Sequence, residues 1–115
     1  MRKGKFVLML HAHLPFINHP DFPSFMEERW LFEAMTETYI PLVQAFNRLK
    51  NDGVHFRVSM SITPPLMEMF ANADLQKKYL KYLDLSIELA EKEIERTISE
   101  NPASNRLAKH YLKEL

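Results

Sequence analysis

Cysteine is absent from the 115 residues, so the chain has no disulfide framework, no thiolate metal site and no thiol nucleophile, and it fits a reducing compartment. Net charge is absent as well. Fifteen Lys and Arg balance fifteen Asp and Glu, leaving no overall field to draw a polyanion or an anionic membrane surface. Nucleic acid and membrane are therefore poor partners. No apolar stretch approaches the roughly 18 residues of a membrane span. The basic start Met1-Arg2-Lys3-Gly4-Lys5 resembles that of a signal peptide, but the apolar run behind it, Phe6 to Leu10, stops at His11. A signal core needs about 7–15 such residues. The chain also lacks a glycine-rich phosphate loop, a serine-nucleophile motif, a basic stripe with interleaved aromatics, an internal repeat and a low-complexity segment. The expectation is a soluble, cytoplasmic single domain, residues 1–115, able to bury roughly 65% of its unfolded surface.

What is present reads as an α/β pattern. Phe6-Val7-Leu8-Met9-Leu10 is short and continuously apolar, as in a strand covered on both faces within a parallel sheet. From His11 to Met26 the residues Pro15, Asn18, Pro20, Asp21, Pro23 and Ser24 break any ladder. They predict a loop of about 15 residues, long enough to carry function. Phe16, Phe22 and Phe25 within it cover a cleft or pin the loop down. Glu27-Glu28 suit the positive end of a helix whose apolar face is Leu31, Ala34, Met35 and Thr38. Pro41 is expected to end that helix, with Thr36 or Thr38 capping a second one whose stripe is Leu42, Val43, Phe46 and Leu49 and whose stop is Asn51-Asp52-Gly53.

The second strand, Phe56 to Ile62, alternates strictly: Phe56, Val58, Met60 and Ile62 on one face, Arg57, Ser59 and Ser61 on the other. Thr63 caps the next helix and Pro64 takes its first position. Asn72 or Asp74 then caps an amphipathic helix of about seven turns with the stripe Leu75, Tyr79, Leu83, Ile87, Ala90, Ile94 and Ile98. Asn101-Pro102 breaks it, and Ala103 to Leu115 begins another helix with Leu107, Tyr111 and Leu112 partly aligned. No glycine, proline or cap closes that last pattern, as in a fragment. Strand, helix, strand, helix, helix is a parallel α/β order. Two strands close neither a barrel nor a covered sheet, so further sequence is expected to complete the fold.

Chemistry concentrates in His11-Ala12-His13, where i, i+2 spacing on extended backbone turns two imidazoles to the same side just past a strand. Three readings fit: a metal pair of the kind that opens many barrel hydrolases, a hydrogen-bonding pair for a polar substrate such as a sugar, or two loop histidines, one packed and one solvated. Trp30, the single tryptophan, is a flat face for a sugar ring or a core residue of an amphipathic helix. Among the nearby carboxylates Asp21, Glu27, Glu28 and Glu33, no spacing singles out a glycosidase-like pair, and Glu27 and Glu28 read as helix-start charges. His19, His55 and His110 have no partner at ligand spacing.

Three blocks, FVLMLHAHLPF, EERWLFEAMTETYIPLV and RVSMSITPPLMEM, in that order and spacing, resemble the N-terminus of glycoside hydrolase family 57, from about Lys5 to Thr97. The likeness is greatest to its 1,4-α-glucan branching enzymes and related α-amylases. The resemblance implies the N-terminal part of a distorted (β/α)7 barrel, incomplete in this chain, and a retaining reaction on α-1,4-glucan such as glycogen. A glutamate nucleophile and an aspartate acid/base would do the chemistry, with no metal or organic cofactor. The family's first motif, His-Gln-Pro, here reads His13-Leu14-Pro15. By resemblance His11 and His13 line the subsite of the sugar at the cleaved bond, and Trp30 contacts the glucan. Both catalytic carboxylates are then expected beyond Leu115, which removes Asp21, Glu27, Glu28 and Glu33 from that role and leaves the isolated chain inactive. The rival expectations are a metal-dependent barrel hydrolase with His11 and His13 as ligands, and a non-catalytic carbohydrate-binding or structural module.

Overall fold

The computed structural model describes residues 4–23 and 25–115. The basic start Met1-Arg2-Lys3 and the loop residue Ser24, both used in the sequence reading, lie outside the described residues. Strand β1 (Met9–Ala12) leads through a loop to helix α1 (Met26–Ala34), a π-helical turn (Met35–Tyr39) and helix α2 (Ile40–Asn51), and strand β2 (Ser59–Ile62) follows. Helices α3 (Pro64–Ala71), α4 (Ala73–Thr97) and α5 (Pro102–Glu114) complete the order. β1 and β2 pair in parallel, with Met9 opposite Ser59 and His11 opposite Ser61. Backbone bonds from Ser59 N–H to the Leu8 carbonyl (3.2 Å) and from Thr63 N–H to the Ala12 carbonyl (3.1 Å) frame the ladder.

The first strand differs from expectation in place and in burial. It spans Met9 to Ala12, so His11 is a strand residue and not the first residue after one. Phe6, Val7, Leu8 and Met9 are exposed, Phe6 by 89%, and of the strand only Ala12 is buried. Strand side chains point to the two faces of the sheet and not to its edges, and within this chain the apolar run that would suit a covered position is left bare. β2 also runs shorter than the alternating stretch, and its half-buried residue is Ser61 while Met60 and Ile62 remain exposed.

Pro41 does not end the first helix. The turn Met35–Tyr39 takes the wider i→i+5 form and runs on directly into α2, with Pro41 as the second residue of α2. No side-chain cap marks the π-helical turn or α2, so neither Thr36 nor Thr38 caps a second helix. The end of α2 is as expected. Gly53 adopts φ 70°, its N–H reaches the Lys50 carbonyl (3.1 Å), and Val54 N–H reaches the Leu49 carbonyl (2.9 Å), the two bonds of a Schellman stop.

By its contacts the chain divides after Leu75. In the first unit Ala12, Leu31, Phe32, Leu66, Met69 and Leu75 are buried, and burying side chains of the Leu66 and Met69 size contributes about 1.5–3 kcal/mol each. The ring of Tyr39 meets Phe70 edge-on at 5.5 Å, and burial lifts its phenol above the ordinary value. Asn72 caps α4, its Oδ1 accepting from the N–H groups of Asp74 and Leu75 at 3.0 Å. In the second unit, Gln76–Leu115, Tyr79, Ala90, Thr97 and Ala108 are buried, whereas Ile98, Leu107 and Tyr111, read as apolar-stripe residues, are exposed. Asn101 caps α5 through Ala103 and Ser104. Buried Asn105 ties α5 to α4, its Nδ2 donating to the Ile94 carbonyl (2.7 Å) and to Thr97 Oγ1 (3.1 Å). No helix among the described residues is long and apolar enough to cross a membrane.

Candidate functional site

Parallel strands point their carboxyl ends the same way, and in α/β folds that is where ligands bind. Here the carboxyl end of β1 brings His11 and His13, and that of β2 brings Ser61 and Thr63. The i, i+2 spacing acts as expected. The two imidazole rings lie nearly parallel, 10° apart, with centroids separated by 6.1 Å, and both side chains are exposed. They form a short open shelf rather than a packed pair.

Ser61 belongs to this shelf, and the sequence reading did not single it out. Its Oγ lies 2.5 Å from His11 Nδ1, a hydrogen bond across the strand pair. The alternation of β2 had placed Ser61 on the polar face, but only the register between segments fifty residues apart sets it beside His11. With Nδ1 engaged, Nε2 is the ring nitrogen left to a ligand. Thr63 is the residue before α3 and its carbonyl accepts the first helical bond from Met67 N–H, but its hydroxyl makes no cap bond, and Oγ1 is buried without a hydrogen-bond partner.

The loop behind His13 is anchored at both sides. Ile17 N–H points at the Met69 sulfur (3.3 Å), and His19 N–H donates to Glu28 Oε1 (2.9 Å). Glu28, expected as a helix-start charge, does lie in the first turn of α1, but it is 1% exposed and is also a loop anchor. The His19 ring packs on Phe25 with centroids 3.8 Å apart, and Phe25 meets Phe22 at 5.6 Å. These rings pin the loop, one of the two roles expected of its aromatics, while Phe16 and Phe22 stay exposed.

Trp30 projects from α1 with 48% of its surface exposed. Among the described residues its indole makes no ring contact with His11 or His13. Asp21 and Glu33 are exposed, and no group of three His, Cys, Asp or Glu able to hold a metal occurs among the described residues. His55 lies elsewhere, with Phe46, Lys50 and Phe56 around an open cavity of about 380 Å³ at the amino end of β2. His110 sits on α5, against Tyr111.

This geometry has counterparts among known proteins. The structure superposes on the α-amylase AmyC from Thermotoga maritima with a TM-score of 0.89 and 51% identity, covering 98% of this chain and 21% of that one. A 1,4-alpha-glucan branching enzyme of Thermococcus kodakarensis is 34% identical over 93 residues, 80% of this chain and 14% of the enzyme. A probable 1,4-alpha-glucan branching enzyme of Mycobacterium tuberculosis is 32% identical over 77 residues, 66% of this chain and 13% of its own length. The chain thus spans about a seventh of the branching enzymes it matches. The profile of the family described as Glycosyl hydrolase family 57 matches residues 7–113, nearly the whole sequence, and the chain belongs to that family.

Proposed function

We propose that residues 1–115 are the N-terminal portion of a distorted (β/α)7 catalytic barrel that acts on α-1,4-glucan. His11 and His13 bind the sugar at the cleaved bond, and Trp30 gives an apolar face to the glucan. The observation that carries this reading is the pair of nearly parallel, exposed imidazoles at the carboxyl end of two parallel strands, in a chain half identical to part of an α-amylase. Such a pair suits hydrogen bonding to sugar hydroxyls, which present donors and acceptors together.

In the whole enzyme a glutamate attacks the anomeric carbon, an aspartate protonates the leaving oxygen, and the glycosyl-enzyme passes its sugar chain to a 6-hydroxyl or to water. Both carboxylates come from sequence outside this chain. Asp21, Glu27, Glu28 and Glu33 take no catalytic part in this reading, and Glu28 accepts a hydrogen bond from the loop backbone at His19. The isolated chain is therefore expected to have no turnover on amylose.

His11→Ala and His13→Ala in the full-length enzyme test the reading. Each is expected to lower kcat on amylose by roughly 10- to 100-fold, the loss of one strong hydrogen bond at the reacting sugar. Turnover within about 2-fold of the parent for both would remove the assignment, since a lost bond of even modest strength exceeds that. Analysis of the parent's products for new α-1,6 links separates branching from hydrolysis.

A further inference from the structure

We infer that Ser61 is a positioning residue that fixes the orientation of the His11 imidazole. The inference rests on the glucan-subsite reading above and adds a residue to it. His11 and Ser61 are register partners in the parallel pair, and Nδ1 and Oγ lie 2.5 Å apart. His11 itself is exposed, so packing alone does not hold its ring. The imidazole of a strand residue turns about χ2 over a broad range, and a hydrogen bond to one nitrogen narrows that range and settles which nitrogen faces outward. Ser61 is half-buried on a strand, short and free of rotamer-rich atoms, which makes it a firmer anchor than the ring it holds. A serine hydroxyl both donates and accepts, so the anchor serves His11 in either neutral tautomer and leaves Nε2 aimed away from β2. Supporting shells of this kind keep a binding group within the narrow angular limits that catalysis requires.

The test is a double-mutant cycle in the full-length enzyme, with kcat and KM on amylose and the thermal unfolding midpoint as readouts. Ser61→Ala is expected to lower kcat by about 5- to 10-fold, the worth of one hydrogen bond, with KM moved less and the midpoint near that of the parent. Ser61→Thr restores the hydroxyl and is expected to return kcat to within about 2-fold, since threonine is well suited to a strand. In a His11→Ala background, Ser61→Ala is expected to have no further effect beyond about 2-fold, because a residue that acts through His11 has nothing left to position. Ser61→Val keeps a strand-forming side chain without the hydroxyl and repeats the cycle where the alanine variant folds poorly. Equal losses with and without His11, or no rescue by threonine, would overturn the positioning role and leave the subsite reading standing. A silent His11→Ala would overturn both.

Discussion

Glu28 carries a burial that its neighbours in sequence do not announce. It is 1% exposed and accepts from His19 N–H, so the first turn of α1 holds the middle of the loop that follows His13. Glu28→Ala removes that acceptor and is expected to cost about 1–3 kcal/mol in denaturant unfolding of the full-length protein, whereas Glu28→Gln, which retains a carbonyl acceptor, costs less. Asn105 plays a comparable part in the second unit. Asn105→Ala deletes the donor to the Ile94 carbonyl and Thr97 Oγ1 and is expected to destabilise by about 1–3 kcal/mol by the same measurement. Neither residue was legible as an anchor. A glutamate beside a helix start and an asparagine inside a helix have innocuous local explanations, and only burial in three dimensions separates them from surface residues.

Elements show where local pattern suffices and where tertiary context overrides it. The Schellman stop at Gly53 follows from three residues of sequence, and a Cβ placed there meets nothing within 4 Å, so Gly53→Ala is expected to cost only the backbone penalty of φ 70°, about 1–2 kcal/mol, read as a lowered unfolding midpoint. The long α4 was legible from its stripe, and its cap was legible as Asn72 or Asp74, of which Asn72 makes the bonds. Pro41 was not: a proline in a helical pattern usually marks a boundary, but a single π-helical turn before it keeps the helix going. The strand β1 was legible as a strand but two to three residues early, because apolar content weighed towards Phe6 while pairing with β2 selects Met9 to Ala12.

The surface of α4 has a pH response with a definite sign. Hydrogen bonding to Lys92 lowers the Glu88 carboxyl below its ordinary value, and hydrogen bonding to Arg96 lowers that of Glu93. Both contributions are full above the ordinary carboxylate range and vanish as pH falls through the lowered values, since the unfolded chain takes up its protons first. Lys92 is raised by Glu88, so the same pair also weakens as pH rises past the lysine range. All these groups are exposed, so the effect is small and screened by salt. Acid titration followed by circular dichroism is expected to show a slight loss of helix that added salt mimics at neutral pH.

At the scale of the whole molecule, the chain belongs to glycosyl hydrolase family 57. It spans 21% of AmyC and 14% of a branching enzyme, while Phe6 and Val7 ahead of β1, Met9 on β1, and Met60 and Ile62 on β2 are exposed. In the proposed (β/α)7 barrel these are the residues expected to become buried. Half of the proposed site is legible in the sequence. His11 and His13 stand out by i, i+2 spacing at a strand end, and their proposed sugar-binding role rests on the resemblance of the family blocks. Ser61 did not, because its meaning depends on strand register, which no local pattern encodes. The distance between these side chains and a bound glucan tests the central claim most directly. In a crystal structure of the full-length enzyme with a maltooligosaccharide, His11 Nε2 and a ring nitrogen of His13 are expected about 2.7–3.2 Å from hydroxyls of one sugar. A sugar whose nearest oxygen lies beyond about 4 Å from both rings, or a metal ion held between them, would contradict the account.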